Sequence, residues 1–276
     1  MSEFWREAPP PARRPLGPGD LGRVALRGGA IVSLLLVCFP ALLILRIPEH
    51  LIFGLSRPVT PHLTQFVCKM SCRILGLRLM VRGRPMAGPG AYVANHVGWL
   101  DIFVLNASKR LYFVAKSEVA GWPGIGWLAR GTGTVFIARD PRQAQAQTRL
   151  FEDRLRAGHR LLFFPEGTST DGRRILPFKP TLFQAFLSER LRDVLKVQPV
   201  TLVYHAPEGE DARFYGWWGD MPLAPAILST LAARRQGRVE VVYHPPLAVA
   251  DYPDRKRLSA AAEAAVRAGF YAALAE

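Results

Sequence analysis

The sequence predicts an α/β fold, in which a layered domain with a largely parallel sheet flanked by helices follows an N-terminal helical membrane anchor. From residue 90 onward, short apolar runs alternate with stretches of helical character, and this alternation is typical of parallel sheets. Before that point lie an uncharged apolar stretch, residues 28–45, and a basic amphipathic stretch, residues 63–83. These observations divide the chain into three regions.

The first region is a flexible basic tail, residues 1–24, because it is rich in Pro, Gly and Arg. The second is the helical membrane anchor, residues 25–85. Its apolar stretch, "GGAIVSLLLVCFPALLIL", has about the length that a helix needs to cross a hydrocarbon core. A single span, a re-entrant or interfacial hairpin and an uncleaved signal all fit it. Basic residues flank this stretch on both of its sides. By the positive-inside rule, this balance favours an anchor that returns the chain to one side of the membrane.

The stretch 63–83, "LTQFVCKMSCRILGLRLMVRG", carries apolar residues at spacings of three and four with basic residues between them. This periodicity predicts a basic amphipathic helix that lies on a membrane or caps the domain.

The third region, residues 86–276, is the α/β domain. Its predicted strands are "AYVAN", "LYFVAK", "TVFIAR", "RLLFFPEG", "VQPVTLVY" and "RVEVVYHP". A helix is predicted over 140–158, with Asp140 as N-cap, Pro141 in the first turn and Gly158 as C-cap. A closing helix is predicted over 258–276.

Charge and cysteine content narrow the classes of partner. Lys and Arg number 36 against 22 acidic residues, a net charge of +14, which predicts attraction to anions. The chain has no zinc-finger spacing and no RNP-type aromatic motif, so we expect membrane surfaces and small anions as partners and no nucleic acid. Cys38, Cys68 and Cys72 form no CxxC pair, and we expect them to be reduced.

Within "YVANHVGWLD", His96 and Asp101 lie five residues apart. We expect a strand to end at Asn95 and a helix to begin after His96, with Asp101 in its second turn. If His96 lies in the turn before the helix, its ring can fold back toward Asp101. An aspartate that accepts from one imidazole nitrogen leaves the other nitrogen as a base. The alternative is a capping histidine beside a buried aspartate with a structural role.

Two further strand ends carry polar residues. "GTGTVFIARD" delivers Arg139, whose planar guanidinium suits a phosphate. In "FFPEGTSTDGRRILPFK", we expect Glu166 to accept hydrogen bonds from substrate hydroxyls and the N–H groups of Gly167 and Thr168 to hold an anion. Basic residues that follow in this segment add positive charge; they are Arg173, Arg174 and Lys179.

Four motifs appear in a fixed order. They are His-x4-Asp, Gly-x2-Phe-Ile-x-Arg from Gly133 to Arg139, Phe-Pro-Glu-Gly-Thr from Phe164 to Thr168, and Val-x-Pro-Val from Val197 to Val200. Over roughly residues 65–205 the chain thereby resembles the glycerolipid acyltransferase family, of the bacterial 1-acylglycerol-3-phosphate acyltransferase type.

The resemblance implies that His96 is the general base for the hydroxyl of a lysolipid acceptor and that Asp101 orients it. The hydroxyl would attack the thioester carbonyl of acyl-CoA or acyl-acyl carrier protein, with no cofactor, no metal and no covalent acyl-enzyme. Arg139 and the 166–168 turn would hold the acceptor head group, and Lys116 would face its phosphate. The resemblance also implies a two-helix anchor at the cytoplasmic membrane, with the active site on the cytoplasmic side.

The acceptor implied by the resemblance is 1-acylglycerol-3-phosphate (lysophosphatidic acid), which would give phosphatidic acid. One departure weakens this choice, because the third motif often continues with arginine and position 169 is serine here. Either Arg173 or Arg174 replaces that arginine, or the acceptor is a lyso-ornithine lipid, as in a related branch. A non-catalytic basic membrane-binding module is the alternative from a different class. On the enzymatic hypothesis we expect Asp101→Asn to cut turnover with little loss of stability.

Overall fold

A computed structural model describes residues 5, 8–12, 14–138, 142 and 144–275. The helices are α1 (Pro18–Phe53), α2 (Thr60–Leu75), α3 (Asp101–Ser108), α4 (Ile125–Thr132), α5 (Ala144–Arg156), α6 (Leu223–Ala232) and α7 (Arg255–Ala275). The strands are β1 (Arg78–Arg82), β2 (Gly90–Ala94), β3 (Tyr112–Lys116), β4 (Val135–Ile137), β5 (Arg160–Phe163), β6 (Lys196–His205), β7 (Arg238–Tyr243) and β8 (Leu247–Ala248). A 3₁₀ segment spans Pro180–Leu187.

The strands form one sheet in the order β1-β7-β6-β2-β5-β3-β4, and β8 pairs with β6. The strands from β6 to β4 are mutually parallel, whereas β7 and β8 run antiparallel to β6. The predicted α/β class with a largely parallel sheet is therefore confirmed. Each of the six predicted strand stretches contains a strand.

Side chains alternate across the sheet and so supply two cores. On β2, Ala91 and Val93 join a core with α5, α7 and the 3₁₀ segment, while Tyr92 and Ala94 join a core with α2, α3 and α6. All four of these side chains are fully buried. Because β2 lies in the middle of a sheet covered on both faces, its sequence is apolar throughout.

The apolar stretch 28–45 lies within one continuous helix, α1, despite Pro40. This helix has 36 residues, which makes it about 54 Å long, and it is long and apolar enough to cross a membrane. It nevertheless follows the domain: Arg23 donates to the α6 carbonyl of Ala232 at 2.7 Å, Phe39 packs on α4 at Gly131, and the C-terminal half packs on α2. A hairpin therefore exists between α1 and α2, not inside the apolar stretch.

The prediction of one helix over 63–83 is wrong at its C-terminal end. Helix α2 ends at Leu75, because Gly76 adopts a left-handed conformation with φ of 81°. Residues 78–82 form β1, paired parallel to β7. The apolar residues after Gly76 belong to this strand, where the relevant period is two.

The boundaries of the three predicted regions stay predictions, although α1 already begins at Pro18, inside the expected tail. The predicted helix 140–158 corresponds to α5, and Gly158 has a φ of 83°, as expected after a helix end. The capping residues Asp140 and Pro141, like Arg139, lie outside the described residues.

Candidate active site

The parallel strands deliver the candidate residues to one edge of the sheet. His96 follows β2, Glu166 follows β5, and Lys116 is the last residue of β3. These three strands are neighbours and run parallel, so their carboxyl ends meet at the edge where ligands bind in open α/β sheets.

His96 and Asp101 form a direct pair. His96 Nδ1 lies 2.7 Å from Oδ2 of Asp101, whose side chain is completely buried. A carboxylate accepts hydrogen bonds, so the proton of the neutral imidazole lies on Nδ1 and the lone pair on Nε2. The pair thus has the arrangement of a base and the residue that orients it.

The backbone between His96 and Asp101 explains how two side chains five positions apart can meet. Asp101 Oδ2 also accepts from the N–H groups of Val97 at 2.7 Å and Gly98 at 3.1 Å. Asp101 is the first residue of α3, where a carboxylate is favoured by the helix dipole. The expectation that Asp101 lies in the second turn of the helix is wrong, because these bonds hold residues 97–100 as a tight turn.

Tyr204, at the carboxyl end of β6, completes the shell of Asp101. Its hydroxyl donates to Oδ1 at 2.8 Å. Burial first, and then the negative charge of Asp101, raise the pKa of Tyr204 well above its ordinary value, so this hydroxyl stays a donor. Both oxygens of Asp101 are therefore engaged.

The His96 ring is held in place and remains reachable. It stacks on Phe164, with ring centroids 4.0 Å apart and planes 12° apart, and about 20% of the side chain is exposed. Among the residues that the structure describes, none makes a hydrogen bond with Nε2. An acceptor hydroxyl can approach this nitrogen from solvent.

Glu166 supports the backbone of His96. Its Oε1 accepts from the His96 N–H and its Oε2 from the Leu176 N–H, both at 2.8 Å, and the side chain is 1% exposed. Burial raises its pKa to about 8, against the lowering effect of the two N–H donors. The expected contact with a substrate hydroxyl does not fit this placement, because the carboxylate faces inward and is already occupied.

The turn after Glu166 is shaped by Gly167, which has a φ of 73°. Its N–H donates to the carbonyl of Phe164 at 3.0 Å, so it is not available for an anion as expected. A Cβ on this glycine would lie 3.0 Å from Nζ of Lys179. Lys179 therefore places a positive charge next to this turn. Thr168, the next residue, is half-buried.

The remaining candidates differ in position. Lys116 is half-buried at the end of β3. Arg173 is exposed on the loop after the 166–168 turn. The pKa of His205, at the end of β6, is lowered by burial, then by Arg238, and also by the charge of Arg173.

Ser169 does not offer its hydroxyl to a ligand. It is 8% exposed and donates to the carbonyl of Trp217. Trp217 in turn donates from its N–H to the carbonyl of Val97 at 2.9 Å, and a Cβ on Gly98 would lie 3.2 Å from the Trp217 Cβ. The segment around Trp217 therefore packs closely on the turn between His96 and Asp101, and a side chain at position 98 would crowd this contact.

Sequence reasoning assigned no role to Tyr204 or Trp217. Tyr204 is the residue before the last in the Val-x-Pro-Val strand, and an aromatic near a strand end carries no signal of its partner. In the described part of the chain, no three His, Cys, Asp or Glu residues cluster in a way that would hold a metal ion. The arrangement can remove a proton from a hydroxyl through His96.

Comparisons with known proteins identify the family of the chain. The sequence profile of the acyltransferase family matches residues 78–204. A lyso-ornithine lipid O-acyltransferase of Rhodobacter capsulatus is 59% identical over 96% of each chain, and one of Brucella abortus is 35% identical over 91% of this chain and 95% of the relative. A 1-acyl-sn-glycerol-3-phosphate acyltransferase of Neisseria gonorrhoeae is 32% identical over 63% of this chain and 67% of the relative.

Among solved structures, the 1-acyl-sn-glycerophosphate acyltransferase of Thermotoga maritima has the same fold. Its TM-score is 0.65 at 20% identity, and the alignment covers 94% of this chain and 98% of that chain. At this identity the likeness concerns the fold alone.

Proposed function

Because the chain belongs to the acyltransferase family, we propose that it moves an acyl chain from an acyl thioester to the free hydroxyl of a lyso-ornithine lipid. Transfer to a lysolipid is common to the relatives named as lyso-ornithine lipid acyltransferases and to those named as 1-acyl-sn-glycerol-3-phosphate acyltransferases. The observation that carries the choice of acceptor is the 59% identity to the Rhodobacter capsulatus enzyme over nearly the whole of both chains. The alternative acceptor, lysophosphatidic acid, rests on more distant and shorter matches.

Ser169 supports the same choice. It occupies the position after Phe-Pro-Glu-Gly-Thr where the family often has arginine, and its side chain is buried against Trp217. A phosphomonoester carries up to two negative charges and is best held by guanidinium groups. Arg174 lies 3.2 Å from Asp171 and 4.7 Å from the ring of Trp5. It is therefore engaged by the protein and a poor substitute for the missing arginine.

The reaction follows from the orientation of His96. Nε2 takes the proton of the acceptor hydroxyl as its oxygen attacks the thioester carbonyl, and Asp101 stabilises the imidazolium that forms. The tetrahedral intermediate then expels the thiolate, which takes the proton back from Nε2. General-base assistance of this kind contributes roughly 10²–10⁴-fold. No residue is acylated, and the scheme uses no cofactor.

The donor candidates are acyl-CoA and acyl-acyl carrier protein.

Helices α1 and α2 would hold the enzyme on the membrane. The apolar side chains that α1 exposes include Leu36, Val37, Ile44 and Leu51. Since α1 follows the domain along its length, we propose that it lies in the interface, with the site on the cytoplasmic side. In intact spheroplasts, added protease should then leave the domain uncut, and it should cut the domain after lysis.

The acceptor is tested by giving the purified protein an acyl thioester with lyso-ornithine lipid and lysophosphatidic acid in parallel, and by identifying products by mass spectrometry. We expect ornithine lipid to form at least about tenfold faster than phosphatidic acid. Faster formation of phosphatidic acid would assign the enzyme to the other acceptor. His96→Ala is the control, and full turnover by that variant would remove His96 as the general base, whereas no product from either acceptor with the native protein would leave only a membrane-binding role.

A further inference from the structure

A polar cavity lies at the amino ends of the parallel strands, at the opposite edge of the sheet from His96. Its volume is about 230 Å³, and it is bounded by the loop between α1 and α2 and by the amino ends of β3 and β5. The polar residues that line it include Arg57, His62, Arg110, Tyr112, His159 and Arg160. No carboxylate is among the lining residues. The cavity therefore faces three guanidinium groups without an acidic partner of its own.

A further arginine, Arg154, is buried beside this cavity. Arg154 is 7% exposed, and its guanidinium carbon lies 4.8 Å from the centre of the Tyr112 ring, which Arg57 also approaches at 5.7 Å. Burial, and then the charge of Arg57, lower the pKa of Arg154 to about 10. The neighbouring carboxylate, Glu49, accepts from the Val59 N–H and from Thr60 and forms an ion pair with Arg46 at 3.4 Å.

His159 adds no charge but fixes the orientation of the cluster. Its Nδ1 accepts from Nε of Arg154 at 2.5 Å, so Nε2 carries the proton and donates to the carbonyl of Leu55 at 2.8 Å. Burial and the nearby arginines lower the pKa of His159 to about 3. The imidazole is neutral, and the excess of positive charge belongs to the arginines.

Three buried polar atoms at this place have no hydrogen-bond partner among the described residues. They are Nη1 of Arg57, Oη of Tyr112 and Nε of Arg160. Nearly all buried polar groups in native proteins are paired, so each of these atoms calls for a partner. Tyr112 is only 7% exposed. A phosphate accepts hydrogen bonds from guanidinium and hydroxyl donors such as these, whereas a cation or an apolar ligand can pair with none of the arginines.

The same loop presents an apolar surface. Exposed side chains around it are Leu51, Ile52, Phe53, Leu55 and Val59. An apolar edge beside a basic cavity matches the boundary between acyl chains and head groups of a bilayer. A phosphate carried by a lipid would reach the cavity while its acyl chains cover this edge.

We propose that this arginine-lined cavity binds the phosphate group of an anionic phospholipid and thereby fixes the α1–α2 loop on the membrane. The proposal does not depend on which acceptor the enzyme acylates, since the cavity and His96 lie at opposite edges of the sheet. The shared chemistry is a phosphate, and the experiment separates a lipid source from a free one.

The test is thermal unfolding of the full-length protein in neutral-detergent micelles. Phosphatidylglycerol, phosphatidylcholine or inorganic phosphate is added at equal ionic strength. We expect phosphatidylglycerol to raise the unfolding temperature by several degrees and the other two to do much less. Arg57→Gln with Arg110→Gln should weaken the apparent affinity for phosphatidylglycerol at least about tenfold. The matched control, Lys256→Gln with Arg257→Gln on α7, removes the same charge and should keep the effect.

Several outcomes would overturn the proposal. Equal stabilisation by phosphatidylglycerol in the two double variants would exclude this cavity, and stabilisation by inorganic phosphate alone would exclude a lipid source. Should the cavity variant not fold, Tyr112→Phe keeps every charge and removes only the unpartnered hydroxyl. It should unfold at the same temperature without lipid and bind phosphatidylglycerol several-fold more weakly. An unchanged affinity would refute the assignment.

Discussion

Tyr204 donates a hydrogen bond to Asp101 at 2.8 Å across 103 residues of chain. The other oxygen of Asp101 holds Nδ1 of His96 at 2.7 Å. The end of β6 thereby positions the base that follows β2, although the two residues share no motif. This chain of contacts leads to the first of four predictions.

Tyr204→Phe should lower kcat about tenfold with little change in either KM, because the hydroxyl stabilises Asp101 in the orientation that holds His96. It should also shift the acidic limb of the kcat/KM pH profile, which a purely structural role would not do. The matched control is Tyr215→Phe, whose hydroxyl bonds Gln236 away from Asp101. The same loss of kcat and the same pH profile in both variants would contradict a positioning role.

Asp101→Asn should reduce turnover by roughly 10²–10⁴-fold, since the amide would no longer favour the required tautomer of His96. The structure changes the expectation for stability. The buried carboxylate accepts from the N–H groups of Val97 and Gly98 as well as from His96 and Tyr204. An amide nitrogen would face donors there.

We therefore expect Asp101→Asn to lower the free energy of unfolding by about 1–3 kcal/mol, measured by urea titration, and not to leave stability intact. Asp153→Asn, on the exposed face of α5, is the control and should change neither quantity. Undiminished turnover in the Asp101 variant would remove its orienting role.

Glu166 should make the stability of the protein depend on pH. Its pKa of about 8 in the folded state lies above its ordinary value of 4.5 because of burial. The folded state therefore holds the proton more tightly than the unfolded state. The resulting stabilisation is complete below about pH 4.5 and is lost as the pH rises through about 8.

Urea unfolding between pH 5 and pH 9 should show this decline in the native protein and a flatter profile in Glu166→Gln. Glu208→Gln, on an exposed loop, should keep the native slope. Since Glu166 holds the backbone of His96, its variant should also lower kcat more than it raises the acceptor KM. A selective rise of the acceptor KM would instead support the direct substrate contact expected from sequence.

Arg139→Ala should raise the KM of the acceptor more than that of the donor, because we predict that its guanidinium binds the acceptor head group. Arg149→Ala, which removes an exposed arginine of α5, is the control for loss of charge alone. Initial rates measured with each substrate varied in turn provide the comparison. Equal changes in both KM values would contradict the predicted place of Arg139.

Local patterns in the sequence were sufficient for the sheet and for the family. A run such as "AYVAN" is recognisable as a strand because β2 is apolar on both faces, and the order of four motifs pointed to acyl transfer. The same local reasoning failed after Gly76, where a helical period continued by chance into β1. It also placed Asp101 one turn too late, because side-chain bonds to a backbone turn leave no periodic signal.

The sequence by itself determined the α/β class, the family and the pair His96 and Asp101, since local periodicity and short motifs in a fixed order carry all three. Only the tertiary structure decided that Glu166 faces inward, that Tyr204 meets Asp101, and that the arginines at the amino ends of β3 and β5 surround one cavity. The physical reason is that burial and charge crowding arise between segments far apart in sequence. Neither quantity has a value until the strands are ordered and the helices are packed.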